Sequence, residues 1–273
     1  MAASKKKALE VVPLQSFQGS KMDKLKQLYD QWYGCQRCNL CGFRIDGEGK
    51  PYGDIVFGEG NPDAKIMIVG EAPGAEEDAT GVPFVGAAGR LLNQILAATS
   101  DDPGIQELNK WYGQVRHSDG NQSHFHEKVL EWRTQEFFIT NVVACRPPDN
   151  RTPTHPEARA CWERLLNIIY IVDPWFIIAA GKPAIETLTH KQIEITKKRG
   201  ELFDVDIPGR LTSYRIPVLA TLHPSYLLRV ADYKSKAGSF AKTLKDFTWA
   251  LRYVDGLKHH HLGTPIPYRP EFQ

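Results

Sequence analysis

Four apolar runs set the limits on this fold. They are "AKIMIVG" near 64–70, "EFFITNVVA" near 136–144, "WFIIAAG" near 175–181 and "PVLATLH" near 217–223. Each is apolar without alternation, as a strand is when both of its faces are covered. Helical patterns lie between them, roughly at 87–99, 156–171 and 182–190, with another near 237–254 after the last run. Buried strands alternating with helices predict an α/β chain: one three-layer domain with a mostly parallel four-stranded sheet flanked by helices.

Around this frame, 1–21 reads as a flexible N-terminal tail and 22–257 as the domain. "MDKLKQLYDQWY" at 22–33 predicts a short amphipathic helix. Residues 100–134 are polar and punctuated, and read as an insertion with one or two short helices. They carry Lys110, Arg116, His117, His124, His126, Lys128 and Arg133, nearly balanced by acids, which predicts surface decoration more than a DNA-binding flap. Residues 258–273, proline-punctuated and starting in a solvated histidine tract, read as an extended C-terminal extension. No run approaches the roughly 18–20 apolar residues of a membrane span, and the lysines of the N-terminus are not followed by an apolar stretch. Cytoplasmic residence, no membrane association and a monomer are the expectations. A net charge of +2 permits a local nucleic-acid patch without demanding one.

Ligands of open α/β sheets bind outside the carboxyl ends of the strands. The first run ends in "GEAPGAEEDATGVPFVGAAG", from Gly70 to Gly89; the second in Asn141 and then "CRPP"; the third in "GKPA"; the fourth in "HPSYLLR". Glu71, Asn141 and His223 are therefore expected to converge. Glu71 could orient a water or cap a helix. Phe84, between glycines and proline, could stack on a planar ligand or plug the core. The Asn141 amide must be satisfied if buried; its donors and acceptor match the N3–H and O4 edge of uracil, and a structural amide fits equally. His223 could donate to charge developing on a leaving group or simply begin a helix. The residues after it, Ser225 to Arg229, resemble the apolar wedges with which some proteins distort DNA.

Five cysteines complete the inventory. Cys35, Cys38 and Cys41 sit in "CQRCNLC", with Cys145 and Cys161 far along the chain. Four thiolates from two regions can surround zinc or an iron–sulfur cluster, and spacing alone does not choose.

Together, "VFGEGNPDAKIMIVGEAPGAEEDATGVPFVGAAGRLL", "FITNVVACRPPDNRTP" and "HPSYLLR" resemble the family 4 uracil-DNA glycosylases, the iron–sulfur type of bacteria and archaea. The likeness covers roughly 32–99, 135–205 and 215–250. It implies hydrolysis of the bond between uracil and deoxyribose in single- and double-stranded DNA, and a [4Fe–4S] cluster on Cys35, Cys38, Cys145 and Cys161. By the same likeness Glu71 and His223 are catalytic, and Gly70, Phe84 and Asn141 hold the uracil. Glu77 or Asp78 then lines the pocket near the uracil C5, and Ser225, Tyr226, Leu227, Leu228 and Arg229 enter the duplex. The insertion and the C-terminal extension depart from the family. So does His155, which lies where a related branch uses a histidine to trap DNA covalently. That branch has "GEQPG" where this chain has "GEAPG", so His155 reads as the start of a helix. The covalent reading and a non-catalytic DNA-binding module on the same fold remain as alternatives.

Overall fold

A computed structural model describes residues 17–43, 55–115, 119–207, 214–230 and 238–260. The strands are β1 (Glu59–Gly60), β2 (Ile66–Gly70), β3 (Phe137–Asn141), β4 (Phe176–Ala180), β5 (Leu202–Ile207) and β6 (Tyr214–Thr221). The helices are α1 (Lys21–Trp32), α2 (Ala75–Thr80), α3 (Ala87–Thr99), α4 (Pro103–Gln114), α5 (Asp119–Glu136), α6 (His155–Val172), α7 (Lys182–Thr189), α8 (Ile195–Lys198), α9 (Pro224–Leu227) and α10 (Ser239–His260).

One sheet runs β1-β3-β2-β4-β6-β5. Its four inner strands are the four apolar runs, all parallel. The sheet has six strands where four were expected, because each edge gains an antiparallel strand. Neither edge carries a continuous apolar run: β1 is two residues long, and β5 alternates charge with apolar side chains because only one of its faces is covered. Alternation splits the inner strands between two cores. Met67, Val69, Ile177 and Val218 join α1, α6 and α7 on one face. Ile66, Ile68, Phe176, Ile178 and Leu219 join α3 and α10 on the other. This is the expected three-layer arrangement.

The 100–134 segment is more substantial than predicted. Asp102 caps α4 by accepting from the Ile105 N–H. Phe125 and Val129 of α5 are fully buried against Ala97 of α3 and Ile105, with the Tyr112 ring stacked 4.0 Å from that of Phe125. At the other end, α10 reaches His260, past the expected start of an extended tail. Residues 261–273 and the first sixteen of the N-terminal tail lie outside the described residues. Among the described residues no helix is long and apolar enough to cross a membrane.

Candidate active site

The strand order reverses at β2: the chain moves from β2 to β3 on one side, then to β4 on the other. A cleft belongs at such a point, and one of about 390 Å³ lies there, lined by Glu71, Phe84, Asn141, Thr152, His223 and Arg229 among others. The convergence expected of Glu71, Asn141 and His223 is thus present. Gly70 makes it possible: a Cβ there would fall 2.3 Å from the Asn141 Oδ1 and 2.5 Å from the Phe84 ring.

Asn141 is buried, its Oδ1 accepts no hydrogen bond among the described residues, and its backbone carbonyl accepts from the Arg164 guanidinium at 2.5 Å. His223 caps α9 through Nδ1, which accepts from the Ser225 N–H at 3.1 Å. That bond leaves the proton of a neutral imidazole on Nε2, which is buried with no hydrogen-bond partner among the described residues. Burial, then the charge of Arg229, pushes the His223 pKa down to about 4, so the ring is neutral at pH 7. Burial raises Glu71, against a Thr152 hydrogen bond and the Arg229 charge, which favour its ionised form. Thr152 sits on a loop tied down by Arg151, which pairs with Glu157 of α6 at 2.7 Å. The Phe84 ring lies 5.7 Å from His223, tilted by 35°. Its backbone φ is +56°, a conformation that costs a bulky residue about 1–3 kcal/mol and persists only where neighbours enforce it.

The Uracil DNA glycosylase superfamily matches residues 57–248. A type-4 uracil-DNA glycosylase of Thermotoga maritima is 37% identical over 217 residues, 76% of this chain and 91% of the relative. One from Pyrobaculum aerophilum is 34% identical over 82% of this chain and 92% of the relative. The chain belongs to the type-4 uracil-DNA glycosylases. A type-5 uracil-DNA glycosylase of Thermus thermophilus is also similar, 32% identical over 51% of this chain and 57% of its own.

Within this type-4 glycosylase the structure redistributes several expected roles. Of the two acids expected at the pocket wall, Glu77 lines the cleft and Asp78 does not. Glu77 is committed elsewhere: its carboxylate accepts from the N–H groups of Gly74, Val85 and Gly86 at 2.7–3.0 Å. Of the segment expected to enter the duplex, Leu227 is fully buried and belongs to the core of the α3–α10 face, and Tyr226 packs against it. Leu228, 48% exposed, and the exposed Arg229 are left to face outward. Ser225 instead bonds His223 through Oγ at 2.8 Å. His155 is the first residue of α6, capped by Thr154, and lines a neighbouring cavity of about 640 Å³ rather than the cleft.

The cysteines gather near the start of α6. Cys145 and Cys161 are buried in the core of the α1–α6 face, and half-buried Cys35 and Cys38 pack against it. Burial pushes the Cys35 and Cys38 thiols up, and nearby Cys161 pushes both further. Among the described residues no three Cys, His, Asp or Glu groups lie close enough to form a metal-holding group. Arg164 stands beside Cys161, Cys145 and Cys35 and is fully buried, and no carboxylate pairs with it among the described residues. Sequence reasoning passed over Arg164 and counted Arg133 only among the basic residues of the 100–134 segment; a charged residue in a helical pattern gives no sign that it faces inward.

Proposed function

We propose that this chain hydrolyses the N-glycosidic bond of uracil in DNA, leaving an abasic site for base-excision repair. One observation carries the reading: a buried amide oxygen on Asn141 and a buried imidazole nitrogen on His223, both without hydrogen-bond partners among the described residues, open into one cleft with the Phe84 ring. A flat base carrying both donors and acceptors on its edge satisfies both. Such a base must leave the helical stack to arrive there. Phe84 covers its face and Asn141 reads its edge. The Nε2–H of His223 donates to the O2 oxygen, which gains negative charge as the bond to the sugar breaks. Because the ring is already neutral, it acts as a hydrogen-bond donor to that charge. Glu71 in its ionised form, which Thr152 and Arg229 favour against the effect of burial, orients the attacking water and offsets positive charge on the sugar.

Uracil-containing oligonucleotides treated with the protein and then with alkali test this. Strand breaks are expected at uracil in single strands and in U·G pairs, and none at thymine; intact uracil strands would refute the proposal. The pH profile gives Glu71 its own test. A carboxylate needed in ionised form supports activity above its pKa and loses it as pH falls through that value. Burial raises that pKa above 4.5, so the acid limb should lie above the titration of a free glutamate. Glu71→Gln should lower the plateau and remove that limb. A parent profile flat down to pH 4 would exclude Glu71 from the step.

A [4Fe–4S] cluster on Cys35, Cys38, Cys145 and Cys161 is part of the proposal. The chemistry of the donors suits it, although the thiols are not drawn together into a closed site among the described residues: Cys35, Cys145 and Cys161 stand beside the buried cation of Arg164, whose charge ionised thiolates would balance, and Cys38 packs against the same core. Hydrolysis needs no electron, so a cluster held by these cysteines would supply a structural tie between the segment after α1 and the segment after β3. Purified protein should be brown, with broad visible absorption that fades in Cys38→Ser and survives in Cys41→Ser. Colourless protein carrying stoichiometric zinc, or the reverse pattern in the two variants, would overturn the assignment.

A further inference from the structure

The turn Pro83–Gly86 is held from two sides. Glu77 accepts from the Val85 and Gly86 N–H groups at 2.9 and 2.7 Å. From the opposite side, one Arg133 guanidinium donates to the Pro83 carbonyl at 2.9 Å and the Phe84 carbonyl at 3.0 Å. The same guanidinium donates to Asn93 Oδ1 of α3 at 2.7 Å, and Asn93 in turn donates to the His126 carbonyl of α5. Arg133 has no exposed surface. Burial lowers its pKa to about 10, against the charges of Glu59 and Glu77, so it stays charged at neutral pH. Behind the turn, a Cβ on Gly89 would overlap the Phe84 carbonyl at 1.9 Å, so α3 lies directly on this backbone.

These contacts account for the left-handed conformation of Phe84. An aromatic residue does not hold that conformation unaided. Two consecutive carbonyls aimed at one planar fork, and two consecutive N–H groups aimed at one carboxylate, fix the turn between them. We propose that Arg133, in the segment expected to be decoration, is a positioning residue that locks Phe84 in its left-handed turn and so presents the ring to the extruded base. The inference rests on the proposed stacking role of Phe84. It gives α4 and α5 a task in base recognition: buried Phe125 and Val129 of α5 pack with Ile105 of α4 and seat α5 on α3, and α5 delivers the guanidinium.

A double-mutant cycle separates positioning from stability. Single-turnover cleavage and inhibition by free uracil are measured for Arg133→Met, Phe84→Ala, the double variant and Leu188→Ala. Arg133→Met should slow cleavage by about tenfold, a coupling of the order found between residues in contact, and weaken uracil inhibition to a similar degree. In the Phe84→Ala background it should cost nothing further. Leu188→Ala, in the core of the opposite sheet face, lowers the melting temperature without touching the turn or α5, and should keep the parent rate and uracil inhibition while folded. If Arg133→Met does not fold, Asn93→Ala, which removes the side chain that orients the guanidinium, enters the same cycle. Equal losses in both backgrounds, or a parent-like rate beside a slow Phe84→Ala, overturn the inference and leave the stacking role intact. A Phe84→Ala variant as fast as the parent overturns both.

Discussion

His223→Ala is expected to slow single-turnover release of uracil by about 10²–10³-fold, the usual loss when one preorganised donor to a developing oxyanion is removed. The geometry supplies the reason. The Nδ1 of His223 is occupied by the Ser225 N–H, so the Nε2–H is the donor available to the cleft. With a pKa near 4 the ring does not gain a proton across the neutral range, so the rate should not follow a histidine titration between about pH 6 and 8. His223 also caps α9, and loss of a cap costs about 0.5–2 kcal/mol. His223→Asn separates the two effects, because asparagine caps well yet cannot place a donor where Nε2 stands. Activity restored by asparagine would make the residue structural. DNA binding under saturating enzyme should survive in both variants.

Arg164 should show the largest effect on stability. Its guanidinium donates to the carbonyls of Phe57, Asn141 and Val142 and to the Thr140 hydroxyl, all deep in the protein. Each buried acceptor stripped of its donor costs about 1–3 kcal/mol, and a whole domain is stable by only about 5–15 kcal/mol. Arg164→Leu is expected not to accumulate as folded protein. Arg164→Lys keeps the charge, but an ammonium cannot span four acceptors in one plane. Urea unfolding should place it several kcal/mol below the parent. Its Asn141 segment should be loosened enough to weaken inhibition by free uracil. An Arg164→Lys variant within 1 kcal/mol of the parent, roughly the worth of a single ordinary hydrogen bond, would show that the carbonyls find other donors.

The sequence exposed the inner sheet because burial on both faces leaves a mark that each strand carries by itself. It exposed Glu71, Asn141 and His223 because a polar residue where such a strand ends has few reasons to be there. The edge strands left little trace, since β1 is two residues held in place by its partner and β5 is wet on one face. The burial of Arg133 and Arg164 was invisible for a different reason. Their burial is decided by carbonyls as many as 50 and 107 residues away in the chain, and no local pattern records that. Leu227 and Leu228 are adjacent and chemically identical, and only the packing of α9 sends one inward and the other out. Glu77 was legible as an acid near the pocket; that three backbone N–H groups would claim it depended on how the glycine loop closed around it.

The turn around Phe84 also bears on how selection among bases is achieved. Its carbonyls, its amides and the backbone behind it are all engaged before any DNA is present. The Asn141 backbone is fixed by Arg164, and the His223 ring is tied to Ser225. A receptor set in this way loses little conformational entropy on filling. On the proposed roles of Phe84, Asn141 and His223, discrimination then falls on a kinetic partition: each extruded base is either captured by walls set in advance or slips back into the stack. The lifetime of the open base, a property of the pairing it left, therefore becomes part of the enzyme's substrate preference.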